Sequence, residues 1–153
     1  MKFKSLLLLT VFTFGAFSTP VAAIETKAKN VVLMDFDTGT VFFDKKADER
    51  MPPASMSKLM TAYMIFERLK DGALSMDDEF IVSENAWRKG GARTGSSTMF
   101  LKIGDKVKLR DLLRGIIVQS GNDACITAAE NIAGTESEFV ELANEKASEL
   151  GLN

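Results

Sequence analysis

From Met56 onward, apolar side chains recur at mostly helical spacing: Met56, Leu59, Met60, Tyr63, Phe66 and Leu69. That period predicts an amphipathic helix with this stripe buried. Pro52 and Pro53 precede it, where a missing N–H costs little, and Gly72 supplies the stop. Upstream, Val31-Val32-Leu33-Met34-Asp35-Phe36 is nearly continuous in apolar residues, the pattern of a strand covered on both faces. Asp37-Thr38-Gly39-Thr40 offers turn residues, with Gly39 free to take a positive φ, and Val41-Phe42-Phe43 reads as the return strand. A β-hairpin over 30–43 is therefore expected. The charged run from Asp44 to Met51 reads as a solvated connection.

Beyond Gly72, Phe80-Ile81-Val82 reads as a short strand and Ser83 as the cap of a helix beginning at Glu84. The run from Gly90 to Ser97 is too glycine-rich for regular structure and predicts a surface loop. Arg93 within it can be drawn against a substrate carboxylate, although a solvated arginine is the plainer reading. Met99–Leu101 and Lys106–Leu109 read as extended pieces around a Gly104-Asp105 turn. A helix is expected from Arg110 to Gln119, burying Leu112, Leu113, Ile116 and Ile117, and a second from about Asp123 to Asn131, ending at Gly134. Thr135-Glu136-Ser137-Glu138 has the form of a capping box, opening a last helix with Phe139, Leu142, Ala143 and Leu150 on its apolar side. A hairpin followed by helices indicates an α+β architecture, with helices packed on an incomplete antiparallel sheet. Two good core strands are too few for a stable sheet alone.

Composition narrows the chemistry. The 153 residues, 46% hydrophobic and 26% charged, suit one globular domain. A formal charge of −2 gives no electrostatic footprint for nucleic acid. There is no histidine, which removes a Ser-His-Asp triad and any His-ligated metal. Cys125, the single cysteine, reads as a small buried hydrophobe on a helix. No cofactor and no metal are expected. Residues 1–23 read as a secretory signal peptide, with Lys2 and Lys4, an apolar run from Leu6 to Phe17, and small residues at Val21-Ala22-Ala23. The run is short for a membrane span. Removing the segment takes the formal charge to −4.

Two constellations carry candidate chemistry. Ser55 and Lys58 stand three apart at a helix start, so both lie on one face. A serine hydroxyl needs an adjacent base, and a lysine made neutral by burial or neighbouring charge can be one. The plainer reading of such a serine is a helix cap. Ser120-Gly121-Asn122 is the second. Gly121 lets the backbone turn sharply, Asn122 can hydrogen-bond an amide, and Ser120 can relay a proton. Alone, the tripeptide also reads as a helix-connecting turn with a cap.

Together, Ser-x-x-Lys followed by Ser-x-Asn resembles the signature of penicillin-binding proteins and serine β-lactamases. The Ser-Gly-Asn form is similar to that of low-molecular-mass D-alanyl-D-alanine carboxypeptidases. The stretches Asp35–Gly39, Pro53–Tyr63, Ser96–Gly104 and Gln119–Cys125 also resemble that family, so the likeness runs from about Asn30 onward. It implies a partial transpeptidase-like fold. It implies Ser55 as acyl-enzyme nucleophile, Lys58 as its base, Ser120 as proton relay, and Asn122 with Gly121 as substrate-binding residues. The implied substrate is a peptidoglycan stem peptide ending in D-Ala-D-Ala. β-Lactams are expected to acylate the same serine, in the periplasm or on the outer face of the inner membrane. A serine β-lactamase, a D,D-endopeptidase and an inactive truncated remnant are the alternatives. The family's third motif, Lys-Thr-Gly, does not occur in these 153 residues. The expectation is therefore that 24–153 form the N-terminal part of a longer catalytic domain. Membrane association is expected only through a C-terminal anchor outside these residues.

Overall fold

The structure, a computed structural model, describes residues 24–152. The expected signal peptide lies outside the described residues. The chain divides into two compact units, one ending at Met51 and the other beginning at Pro52.

The first unit contains the expected hairpin. Strand β1 (Val31–Met34) pairs antiparallel with β2 (Val41–Lys45), with Val31 opposite Lys45 and Met34 opposite Val41, and a bulge after Leu33. Asp35 builds the turn. Its Oδ1 accepts from the Thr38 N–H at 2.8 Å and from Thr38 Oγ1 at 2.7 Å, and these bonds hold its carboxyl below the usual carboxylate range. Gly39 takes the positive φ of +70° that the turn requires. The strand was expected to be covered on both faces. Instead Val32, Leu33 and Met34 are about half exposed, and Phe36 is 99% exposed. Among the described residues β1 and β2 form a two-stranded sheet, and an apolar run says nothing about what covers it.

The second unit is mainly helical. A 3₁₀ turn (Ala54–Ser57) leads into α1 (Lys58–Lys70), which Gly72 follows at φ +72°. Then come β3 (Glu79–Ile81), α2 (Glu84–Gly90), β4 (Lys106–Lys108), α3 (Leu109–Gln119), α4 (Asn122–Ala133) and α5 (Glu136–Glu149). β3 and β4 pair antiparallel, with Phe80 opposite Val107. Asn131 on α4 reaches the same strand: its Oδ1 accepts from the Ile81 N–H at 3.0 Å and its Nδ2 donates to the Ile81 carbonyl at 2.9 Å. The architecture is thus α+β, with its strands in two separate antiparallel pairs.

The core joins α1, α3 and α4 through Ile65, Leu109, Leu112, Leu113, Ile116, Ala124 and Ala128, with Phe80 and Val82 from around β3. A smaller cluster of Met64, Ala129 and Phe139 seats α5. Two expected faces are corrected. On α1 the buried residues are Ala62, Met64 and Ile65, whereas Met56, Tyr63 and Phe66 are exposed and Leu59 is 73% exposed. On α3, Leu109 is buried and Ile117 is exposed. Each helix carries apolar residues around much of its surface, so tertiary contacts choose the face. Leu142 and Leu150 of the expected α5 stripe are also exposed.

The caps match expectation. The Ser83 hydroxyl accepts from the Ala86 N–H at 2.9 Å, and that of Thr135 accepts from the Glu138 N–H at 3.1 Å. Among the described residues, no helix is long and apolar enough to cross a membrane.

Candidate active site

Ser55 lies in the 3₁₀ turn and Lys58 opens α1, so the two meet by local geometry alone. Lys58 Nζ donates to Ser55 Oγ at 3.3 Å. Ser55 is exposed and Lys58 half-buried. Ala54, directly before the serine, has φ +49°, a left-handed conformation that L-residues adopt only when the surroundings enforce it. The turn is braced by the Ser57 hydroxyl, which donates to the Ala54 carbonyl at 2.8 Å, and by the Met56 N–H, which donates to the Pro53 carbonyl at 3.0 Å.

Ser55 and Lys58 line an open cleft of about 700 Å³, whose wall also includes Thr61, Asn122, Cys125 and Ile126. Lys89 and Glu136, from the end of α2 and the start of α5, pair across 3.0 Å on the same lining. Sequence reasoning had singled out neither of these, because the contact spans 47 positions and each side chain by itself reads as a solvated helix-end charge.

Asn122 begins α4, and its first-turn position puts its side chain on the cleft. Its backbone N–H donates to the Ser97 carbonyl at 2.8 Å and its Nδ2 donates to Ser96 Oγ at 3.0 Å. Ser96 Oγ lies 2.5 Å from Thr94 Oγ1. The irregular loop expected over 90–97 begins one residue later, since Gly90 ends α2; it contains a short 3₁₀ turn (Ala92–Thr94), and Ser96 and Ser97 tie it to Asn122. Arg93 is exposed, with its guanidinium 5.7 Å from the centre of the Trp87 ring.

The sharp turn of the second motif falls one residue earlier than expected. Ser120 takes φ +56°, ending α3 in the left-handed region, whereas Gly121 has an ordinary φ of −63°. Gly121 is instead closely surrounded: an added Cβ would stand 3.1 Å from Asp123 Oδ1 and 3.2 Å from Met99 Cγ, so these side chains would have to give way slightly. Ser120 is half-buried, and neither it nor Gly121 belongs to the lining of the cleft that holds Ser55, Lys58 and Asn122.

Cys125 sits one helical turn beyond Gly121, and its N–H donates to the Gly121 carbonyl at 3.2 Å. Burial pushes its thiol up to about 11; the nearby Lys58 charge opposes that shift and Asp123 adds to it. Its setting on a largely buried helix face agrees with the reading of a packed hydrophobe. Among the described residues, no three His, Cys, Asp or Glu side chains are grouped to hold a metal.

A family model described as D-alanyl-D-alanine carboxypeptidase matches residues 17–153. The chain belongs to that family. D-alanyl-D-alanine carboxypeptidase DacC of Escherichia coli is 44% identical over 133 residues, covering 86% of this chain and 33% of its own length. DacF of Bacillus subtilis is 44% identical over 126 residues, covering 82% of this chain and 31% of its own. The crystal structure of penicillin-binding protein 5 from Haemophilus influenzae superposes with a TM-score of 0.76 at 38% identity, over 87% of this chain and 38% of that one. The fold is therefore part of the penicillin-binding-protein fold. The chain spans about a third of the length of the curated carboxypeptidases it matches.

Proposed function

We propose that the protein to which these residues belong is a serine D-alanyl-D-alanine carboxypeptidase that trims the terminal D-alanine from peptidoglycan stem peptides. The observation that carries this reading is the 3.3 Å approach of Lys58 Nζ to Ser55 Oγ on a cleft shared with Asn122, in a chain of this family.

The chemistry follows from the side chains. In its unprotonated form Lys58 can accept the hydroxyl proton as Ser55 attacks the carbonyl between the two D-alanines. The start of α1 places backbone N–H groups and the positive end of the helix dipole near the developing negative charge. The Ser55 N–H supplies one oxyanion donor, a kind of contact worth about 3 kcal/mol in acyl transfer. The Asn122 amide holds the substrate amide, and the Ser120 hydroxyl returns the proton to the leaving D-alanine. Ser120 stands two residues before Asn122 at the end of α3, and contacts of a proton-relaying group are often long without substrate and tighten when it binds. Water then hydrolyses the acyl-enzyme. β-Lactams acylate Ser55 by the same attack and release no leaving D-alanine.

The basic start and apolar run of 1–23 support export, placing this chemistry outside the cytoplasmic membrane. Intact-mass analysis after incubation with benzylpenicillin tests the site. The expected result is a covalent adduct of one penicillin per chain that is absent in Ser55→Ala. A folded chain that gains no adduct contradicts acylation by these residues. N-terminal sequencing of the exported protein tests removal of the segment ending near Ala23.

A further inference from the structure

Asp123 is the one charged side chain fully buried among the described residues, at 0% exposure. Its Oδ2 accepts from Thr98 Oγ1 at 2.6 Å and from the Leu101 N–H at 3.1 Å. Its Oδ1 accepts from the Met99 N–H at 2.9 Å and from the Ala124 N–H at 2.9 Å. All four donors are neutral dipoles. A buried carboxylate is costly unless such bonds satisfy it, and simple packing at this position would be served as well by an apolar residue.

The bonds have a definite target. The Met99 and Leu101 N–H groups flank Phe100, which takes a left-handed φ of +60°, and the Thr98 hydroxyl also accepts from the Phe100 N–H at 3.1 Å. Asp123 therefore pins a strained segment to the first turn of α4. Immediately before that segment come Ser96 and Ser97, which hold Asn122 by its side chain and its backbone. The surroundings leave little slack. An added Cβ on Gly90 would stand 2.3 Å from the Asp123 backbone nitrogen, so α2 presses directly on this turn.

We propose that Asp123 is a positioning residue: by anchoring 98–101 it fixes the Ser96-Ser97 carbonyl and hydroxyl that aim the Asn122 amide into the cleft. The catalytic consequence rests on the reading of Asn122 as a substrate-binding group; the structural link does not. Asp123 touches no reacting atom, and its effect passes entirely through Asn122.

The test uses Asp123→Asn, which preserves shape but sets an amide donor against a backbone donor, together with Thr98→Val, which deletes only the hydroxyl, and Thr98→Ser, which keeps it. Hydrogen exchange of the Asn122 amide is measured against the Leu113 and Ile116 amides of α3 in the full chain. The rate of acylation by benzylpenicillin is measured in the same variants, with and without Asn122→Ala. Thr98→Val should speed Asn122 exchange roughly tenfold or more, as expected for losing the hydroxyl's two hydrogen bonds, to Asp123 and from the Phe100 N–H, with the α3 amides unchanged. Acylation should slow by about tenfold to a hundredfold, the scale of a misplaced group, with Thr98→Ser close to the parent. In the Asn122→Ala background the further loss should vanish, because the two changes act on one element. Unchanged Asn122 exchange overturns the proposal. So does an acylation loss that persists in full in Asn122→Ala, or faster exchange with no loss of acylation. If the parent chain takes up no penicillin, the functional reading fails, and the exchange comparison alone decides whether Asp123 positions Asn122. Should Asp123→Asn not fold, the Thr98 pair carries the test.

Discussion

At the scale of single residues, the candidate nucleophile and base were legible because their proximity is local. Three positions on one helical turn bring Lys58 to Ser55 whatever the rest of the chain does. Asn122 was legible as a residue type, but its partners Ser96 and Ser97 were not, since a contact 26 positions away leaves no mark in a helical period. Asp123 was the least legible of all. An acidic residue in a first helical turn normally reads as a partner of the helix dipole, and nothing in the sequence told that it is buried beneath a strained loop. Cys125 makes a prediction at this scale. Burial disfavours its thiolate, so the folded thiol titrates near 11, above the 9.0 of a free thiol. Iodoacetamide should therefore modify the native chain slowly at neutral pH, with the rate rising toward pH 11, while the urea-unfolded chain reacts fully near pH 9. The linked stability has a fixed sign: it is fully present below the unfolded value and is lost as pH rises from about 9 toward 11, because the unfolded thiol ionises first. Midpoints of urea unfolding taken across that interval should fall, and the fall should be smaller in Cys125→Ala.

At the scale of elements, the ends of helices were read more faithfully than their faces. Ser83, Thr135 and Gly72 act through atoms within a few positions, so capping rules suffice. The face of α1 was misread because apolar residues surround most of that helix, and the choice of Ala62, Met64 and Ile65 is made by α3, α4 and α5. Two substitutions follow from these contrasts. Thr135→Ala removes the cap of α5 and should cost about 1 kcal/mol, measured by urea denaturation. Gly90→Ala should cost more, about 1–3 kcal/mol, because its Cβ would meet the backbone of Asn122 and Asp123 at 2.3 to 2.6 Å and α2 would have to move away from α4. Since that backbone carries the candidate amide-binding residue, Gly90→Ala should also slow penicillin acylation, whereas Thr135→Ala, acting at the start of α5 through a local cap, should change stability chiefly.

At the scale of the whole molecule, the α+β class was legible from the order of elements, but the division of the strands into two pairs was not, since period-two and apolar-run patterns do not name partners. The same gap explains the exposed apolar surface. Ile117 and Val118 of α3, with Phe66 of α1 and Met76, line a shallow groove edged by Arg110 and Arg114, and Val118 is 82% exposed. Monomeric proteins seldom leave such a patch open, and the chain spans only about a third of its relatives' length. In isolation, it should therefore bind the dye ANS while still giving the circular dichroism of a folded helical protein. It should also self-associate with rising concentration in sedimentation velocity. The double variant Ile117→Lys, Val118→Lys separates an exposed native face from incomplete folding. If the face is native, both dye binding and association fall, and stability changes by no more than about 0.5 kcal/mol, as for surface substitutions. If dye binding persists undiminished, it comes from other exposed apolar surface, such as that of the hairpin, or from a loosely packed interior, and loss of near-ultraviolet circular dichroism identifies the second. In that second case the tight contacts around Gly90, Asp123 and Asn122 would not survive in solution, and the positioning of the candidate site would fail with them.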